Sequence, residues 1–300
     1  MRRPATLRDG ARVALVCPAG PLRGEEDLRR AEANARSLGC EPVVGEHALE
    51  RVGYLAGDDA ARLADLNAAL ADDTIDAIWC MRGGYGVMRL LARIDYPALR
   101  RRPKAVIGYS DITALHGAIA TRCDVITYHG PTARSALTAF SRDSLRRALA
   151  DDEPCGTAER AQTLHRGRAR GHLIGGNLAV LCALCGTPYE PPYESAILIV
   201  EDVNEPVYRV DRLLTQLRLA GRLQQCAGIA FGAFTDIPVD SPEESLGART
   251  LDEVLGETAA ALGVPCLRGV PVGHIDDQWT LPLGAVVELD ADARTLRILN

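Results

Sequence analysis

A hydroxyl, an imidazole and a carboxylate set just beyond apolar strands are the residue types of nucleophilic acyl transfer. Ser110 follows the apolar run Ala105–Tyr109 and precedes the helical pattern Asp111–Thr121. A serine on such a strand-turn-helix junction is exposed, and the first helical N–H groups can stabilise an oxyanion. The same Ser-Asp pair also suits a helix N-cap, and residue types alone leave both roles open. The G-x-S-x-G pattern is not met, because Gly108 is present but position 112 is Ile.

A nucleophilic serine needs a base. Lys104, the only lysine, lies six residues upstream on the same run, about 20 Å away at ~3.3 Å per residue. A Ser-Lys dyad is therefore geometrically implausible. Of the six histidines, His47 and His165 lie in polar, loop-like contexts, and His172 precedes Gly175-Gly176. His116 sits more than a turn into the helix after Ser110 and reads as a packed residue. His274, in Gly269-Val-Pro-Val-Gly-His-Ile-Asp276, and His129, in Tyr128-His-Gly-Pro131, each follow an apolar strand and remain as candidate bases, His274 first. The base needs an orienting carboxylate. Glu201 abuts the apolar run Ala196–Val200, which suits either a partnered charge or a solvated strand end.

The loop Arg82-Gly-Gly-Tyr-Gly86 lacks the spacing of a dinucleotide or P-loop motif. A glycine pair after a strand more simply turns backbone N–H groups toward a ligand, as an oxyanion hole or nest does. Cys182 and Cys185 form one C-x-x-C without a second ligand pair, at the wrong end of a helix for thiolate stabilisation. No metal or other cofactor is expected.

These residues need a scaffold of strands that end at one edge. Arg12–Cys17, Pro42–Gly45, Ile75–Met81, Ala105–Tyr109 and Val125–Tyr128 read as strands alternating with helices over Glu25–Leu38, about Asp59–Ala71 and Asp111–Thr121. That rhythm predicts an α/β fold with a mostly parallel sheet flanked by helices. The polar stretch 151–169, with Pro154, Gly156 and Gly167, reads as a linker between an N-terminal domain over 1–150 and a smaller α/β domain over 170–300. There, Gly175–Cys185 opens a buried helix and Ala196–Val200, Ala227–Phe234 and Leu267–Val272 read as strands. Helices are expected over Val207–Leu223 and Thr250–Leu262, and a terminal β-hairpin over Ala285–Asn300. Ligands of open α/β sheets sit beyond the carboxyl ends of strands. Arg82–Gly86, Ser110-Asp111, Glu201-Asp202 and His274 are the polar residues at such places.

A net charge of -6 argues against a nucleic-acid partner. No apolar stretch approaches the roughly 18 residues of a membrane span, and no targeting segment is convincing. The nine scattered cysteines read as buried hydrophobes of a reducing compartment, which points to the cytoplasm.

Several segments, in order, resemble the LD-carboxypeptidases, the muramoyltetrapeptide carboxypeptidase family of serine peptidases. They are Cys17-Pro-Ala-Gly20, Arg82-Gly-Gly-Tyr-Gly86, Gly108-Tyr-Ser-Asp-Ile-Thr113, His129-Gly-Pro131, Gly175-Gly-Asn177, Glu201-Asp202 leading into Tyr208-Arg-Val-Asp-Arg212, and Gly273-His274. The resemblance implies a Ser-His-Glu triad of Ser110, His274 and Glu201 drawn from both domains, with oxyanion donors in the N–H groups of Asp111 and Gly84. It implies removal of the terminal D-alanine from a cytoplasmic murein tetrapeptide by a metal-free homodimer. Arg82, Gly83 and His129 are expected substrate contacts, Arg82 for the terminal carboxylate. Two other readings stand beside it. Some family members cleave aminoacyl-nucleotide antibiotics in self-immunity, but the short, aromatic-poor stretch from Gly221 to His274 favours the murein role. A non-catalytic small-molecule binder is the alternative from another class.

Overall fold

The apolar runs of the first half form strands that, the edge strand at 41–44 apart, are buried along nearly their whole length, as expected of a parallel sheet covered on both faces. The computed structural model describes residues 1–150, 153–238 and 249–299. In the first half β1 (Arg12–Val16), α1 (Glu25–Ser37), β2 (Glu41–Val44), α2 (Asp59–Ala71), β3 (Ala77–Cys80), α3 (Tyr96–Arg101), β4 (Ala105–Gly108), α4 (Thr113–Cys123), β5 (Thr127–His129) and α5 (Ala139–Leu149) follow one another. The local chemistry explains the starts: Asp58 accepts the Ala61 N–H and Asp95 the Ala98 N–H, each satisfying an orphan donor of a first turn.

The second half runs β6 (Gln162–His165), β7 (Arg168–Asn177), α6 (Leu178–Leu184), β8 (Ile197–Val203), α7 (Val207–Leu219), β9 (Gly228–Thr235), α8 (Leu251–Leu262), β10 (Cys266–Arg268), β11 (Leu281–Leu283), β12 (Val286–Asp290) and β13 (Thr295–Ile298). Thr250 and Glu253 close a reciprocal capping box at the start of α8.

The chain divides into two compact units, one of Met1–Pro154, Pro188–Pro191 and Asp276–Gly284, the other of Cys155–Thr187, Pro192–Ile275 and Ala285–Asn300. The first holds a six-stranded sheet ordered β11-β5-β4-β3-β1-β2, parallel except where β11 runs against β5. Leu15, Ile78, Trp79, Val106 and Ile107 fill its centre. The second holds a seven-stranded mixed sheet ordered β13-β12-β7-β8-β9-β10-β6. Its core packs α6, α7 and α8 residues such as Leu178, Leu214 and Val254 against Val200 and Phe231. The expected α/β architecture and the terminal hairpin, β12 and β13 paired antiparallel, are present, Asn300 lying outside the described residues.

Three details differ from the sequence reading. Residues 153–169 are not a plain linker, because β6 pairs antiparallel with β10 and β7 begins at Arg168. β6 is a short polar strand and the first half of β7 alternates exposed Arg168 and Arg170 with small residues, so both lack the apolar alternation that reveals a strand; residues 151 and 152 are outside the described part. Gly175–Asn177 ends β7 instead of opening a helix, and α6 starts at Leu178. Finally, residues 188–191 and 276–284 belong to the first unit, so the second is not the continuous segment 170–300. Among the described residues no helix is long and apolar enough to cross a membrane.

Candidate active site

Ser110 stands at the end of β4 with φ +64°. Most non-glycine residues avoid that region, and holding one there costs on the order of 1–2 kcal/mol. An N-cap residue sits in the β region instead. The helix-cap alternative for Ser110 thus loses its geometry: Ser110 opens a 3-10 turn over Ser110–Ile112, and α4 starts behind it. His116, fully buried on α4, donates from Nε2 to the Gly108 carbonyl at 2.9 Å and ties the helix to the strand end. Burial pushes its pKa down to about 4, so it stays a neutral donor.

The glycine loop 82–86 closes on this turn. A Cβ on Gly83 would lie 2.7 Å from Ser110 Cβ and 2.9 Å from Oγ, so only glycine allows the approach. Gly83 O accepts the Gly20 N–H at 2.9 Å, which links the loop to the Cys17–Gly20 segment. Gly84, at φ +109°, follows directly. Arg82 is partly buried, donates to Pro21 O, and feels the neighbouring charge of Arg134. Burial and that charge lower its pKa, which makes an anionic partner favourable there.

One expectation shifts. His129 is not presented for contact: it is buried at 0% exposure, its ring 6.1 Å from that of Tyr109 and 6.4 Å from that of His116. It packs beneath the Ser110 turn, because β5 runs parallel to β4 and pairs it with Gly108. Lys104 is buried as well and caps α2, donating from Nζ to the Ala69 and Asp72 carbonyls. Burial lowers its pKa to about 8.

In the second unit Glu201 lies inside β8 at 0% exposure, not at a solvated strand end. The β8–β9 register slips between Val200 and Asp202, placing an extra β9 residue opposite Glu201. Such bulges re-aim side chains. His274 Nδ1 and Glu201 Oε2 are 2.7 Å apart. Burial raises the Glu201 carboxyl pKa and the His274 bond opposes that rise. With Nδ1–H donating to the carboxylate, Nε2 of the imidazole is left to exchange a proton. Gly273, at φ +119°, makes the approach possible, since a Cβ there would meet Glu201 Oε2 at 2.9 Å. The Ala233 N–H bond to Val272 O at 2.8 Å holds this loop on β9.

Sequence reasoning passed over one side chain in each unit. Asn177, opposite Glu201 in the β7–β8 register, donates to Asp202 Oδ1 at 2.7 Å and caps α6 through Val180 N–H. The Asp111 carboxylate accepts the Val87 N–H at 2.9 Å. Both residues stood in quoted motifs, but a motif gives no direction to a side chain. Cys182 is a buried thiol whose pKa burial raises to about 12, and all nine cysteines are unbridged.

Comparison with known proteins bears on the chain as a whole. The family model for the LD-carboxypeptidase N-terminal domain matches residues 13–130, and that for the LD-carboxypeptidase C-terminal domain matches 170–289. A Streptomyces coelicolor protein named "Putative carboxypeptidase" is 42% identical over 99% of this chain and 96% of its own. The murein tetrapeptide carboxypeptidase of Pseudomonas aeruginosa is 35% identical over 94% of each chain. Among solved structures, muramoyltetrapeptide carboxypeptidase from Oxalobacter formigenes superimposes with a TM-score of 0.85 at 27% identity, covering 96% of this chain and 98% of that one. The protein MccF in complex with glutamyl sulfamoyl guanosine gives 0.89 at 23% identity, covering 99% and 98%, a likeness of fold. Both halves of the chain thus match, in order, the two domains of one family, and the protein belongs to the LD-carboxypeptidases.

Proposed function

We propose that this carboxypeptidase is a serine enzyme that removes the terminal D-alanine from a murein tetrapeptide in the cytoplasm, working as a homodimer. The observation that carries the reading is the 2.7 Å bond between His274 and the buried Glu201, which is the orienting half of a hydrolytic triad. The 35% identity to a murein tetrapeptide carboxypeptidase supports the substrate class.

In this mechanism Ser110 Oγ attacks the amide carbonyl while His274 Nε2 takes its proton. The developing oxyanion accepts hydrogen bonds from the Asp111 and Gly84 N–H groups. His274 then protonates the departing D-alanine amine, and a water deprotonated by the same imidazole cleaves the acyl-enzyme. Glu201 fixes the ring orientation and stabilises the imidazolium that forms twice per cycle. Arg82 offers a cation to the substrate's terminal carboxylate. No step calls for a metal, so treatment with a chelator is expected to leave turnover unchanged.

The test presents two substrates to the purified protein: a murein tetrapeptide, and an aminoacyl sulfamoyl nucleoside of the kind bound by MccF. Release of D-alanine with the nucleoside left intact is the expected result. Hydrolysis of the nucleoside conjugate with the peptide untouched would replace this reading by the self-immunity one. Tight binding of either without turnover would point to a non-catalytic binder.

A further inference from the structure

The Asp111 carboxylate has no part in proton transfer as described, yet Asp111 is 5% exposed, two residues before the buried start of α4. Burying a carboxylate costs several kcal/mol unless it is hydrogen-bonded. Here it spans a gap: Oδ2 accepts the Val87 N–H at 2.9 Å, and the Gly86 N–H also turns toward it. Val87 opens the 3-10 turn Val87–Arg89, immediately beyond the glycine loop.

That loop is therefore pinned at three points. Met81 N–H bonds Val16 O at 2.8 Å where β3 ends, Gly83 O accepts the Gly20 N–H in the middle, and Val87 N–H bonds Asp111 at the far end. The first two anchors lie on the neighbouring strand and its loop. The third is covalently next to Ser110, so it alone ties the loop's position to the nucleophile itself. Arg62, buried on α2, is the charged group that faces this carboxylate; it also donates to Pro18 O, and its Nη1 would lie 2.6 Å from a Cβ on Gly86.

We infer that Asp111 is a positioning residue in two capacities, its side chain holding the glycine loop over Ser110 so that the Gly84 N–H converges with its own N–H on the substrate's carbonyl oxygen. The inference rests on the reading of Ser110 as nucleophile and of these two N–H groups as the oxyanion donors. A donor displaced by a fraction of an ångström weakens the transition state more than the ground state, so the loss falls on kcat and spares KM.

Asp111→Ala, Asp111→Asn and Val87→Pro are compared with the wild type by D-alanine release and by the rate of fluorophosphonate labelling of Ser110. Proline is tolerated at the first position of a helical turn, so Val87→Pro deletes the donor and keeps the carboxylate. Asp111→Ala and Val87→Pro are each expected to lower kcat and labelling by roughly 10²-fold, with KM within about threefold. Their combination should cost no more than Asp111→Ala alone, since the alanine already removes the acceptor of the Val87 N–H. Asp111→Asn, which keeps an acceptor oxygen, should stay within about fivefold of wild type. The tether is refuted if Asp111→Ala folds and keeps kcat within threefold, if KM rises in its place, or if Asp111→Asn falls as far as Asp111→Ala. Should Asp111→Ala fail to fold, the same thresholds apply to Val87→Pro. A wild type that labels at Ser110 but leaves the tetrapeptide whole overturns the substrate reading only; labelling rates still decide the tether.

Discussion

The first unit and the second place their candidate reactive groups by different physics. Around Ser110 the backbone does the placing: a φ of +64°, a glycine that nothing larger could replace against Oγ, and a carbonyl held by His116. Around His274 the side chains do it: a carboxylate with no exposed surface and an imidazole bonded to it at 2.7 Å. A nucleophile has to project from its surroundings, and a sharp backbone turn projects it. A base has to keep one ring orientation, and a desolvated charge partner provides that because the low dielectric strengthens the bond. Damage to the first region should therefore come from adding atoms, and damage to the second from removing charge.

The largest expected effect is that of Ser110→Ala, which should lower D-alanine release by 10⁴-fold or more and abolish fluorophosphonate labelling. Residual labelling at another serine would move the nucleophile elsewhere. Ser110→Gly sharpens the comparison: equally inactive, it relieves the positive φ and should raise stability by about 1 kcal/mol, read as a higher melting temperature. Next comes Glu201→Gln. It keeps the volume and removes the charge, and kcat should fall about 10³- to 10⁴-fold with KM little changed. A loss below tenfold would show that His274 does not depend on this carboxylate.

Gly83→Ala tests the backbone side. A methyl group within 3 Å of Ser110 Cβ and Oγ must push the turn or the loop aside. Activity should drop about 10- to 100-fold and stability by about 1–3 kcal/mol, measured by turnover and urea unfolding together. Full activity would mean that the loop does not fix the serine.

A smaller effect separates the regions by pH. Burial raises the Asp111 carboxyl from 3.8 to about 6. Between those values the folded protein holds a proton that the unfolded chain has released, so stability falls as pH rises through that window. The cost is fully in place above pH 6 and amounts to about 2–3 kcal/mol. Asp111→Asn should flatten this slope, as followed by urea unfolding at pH 4, 5, 6 and 7; an unchanged slope would assign it to another group. Lys104→Met lies outside both regions. Losing two bonds to the α2 carbonyls should cost about 1–3 kcal/mol and leave kcat where it was; a fall in kcat would bring the lysine back into the chemistry.

Much of this was legible beforehand, and the exceptions have physical causes. The buried strands of the first sheet announce themselves as short apolar runs, because a parallel sheet is covered on both faces. β6 and the first half of β7 do not, since β6 is a short polar edge strand and the start of β7 alternates exposed arginines with small residues, leaving no apolar stripe. Ser110, Glu201 and His274 were picked out by their places after apolar runs. Residues 239–248, part of the stretch between Gly221 and His274 that favoured the murein reading, lie outside the described residues. His129 looked like a rival base by the same rule, and only its burial beneath Tyr109 removes it. Position in sequence says that a side chain ends a strand, not which way it points.

The sequence by itself determined the α/β class, the candidate nucleophile, carboxylate and imidazole, and the ordered motifs of one family. These depend on local periodicity and residue type, which survive without coordinates. The tertiary structure alone decided that Glu201 faces His274, that a β9 bulge stands opposite that glutamate, and that the Asp111 carboxylate reaches Val87. Those facts join residues 73 and 24 positions apart. They come from strand register and burial, which follow from how the whole chain packs.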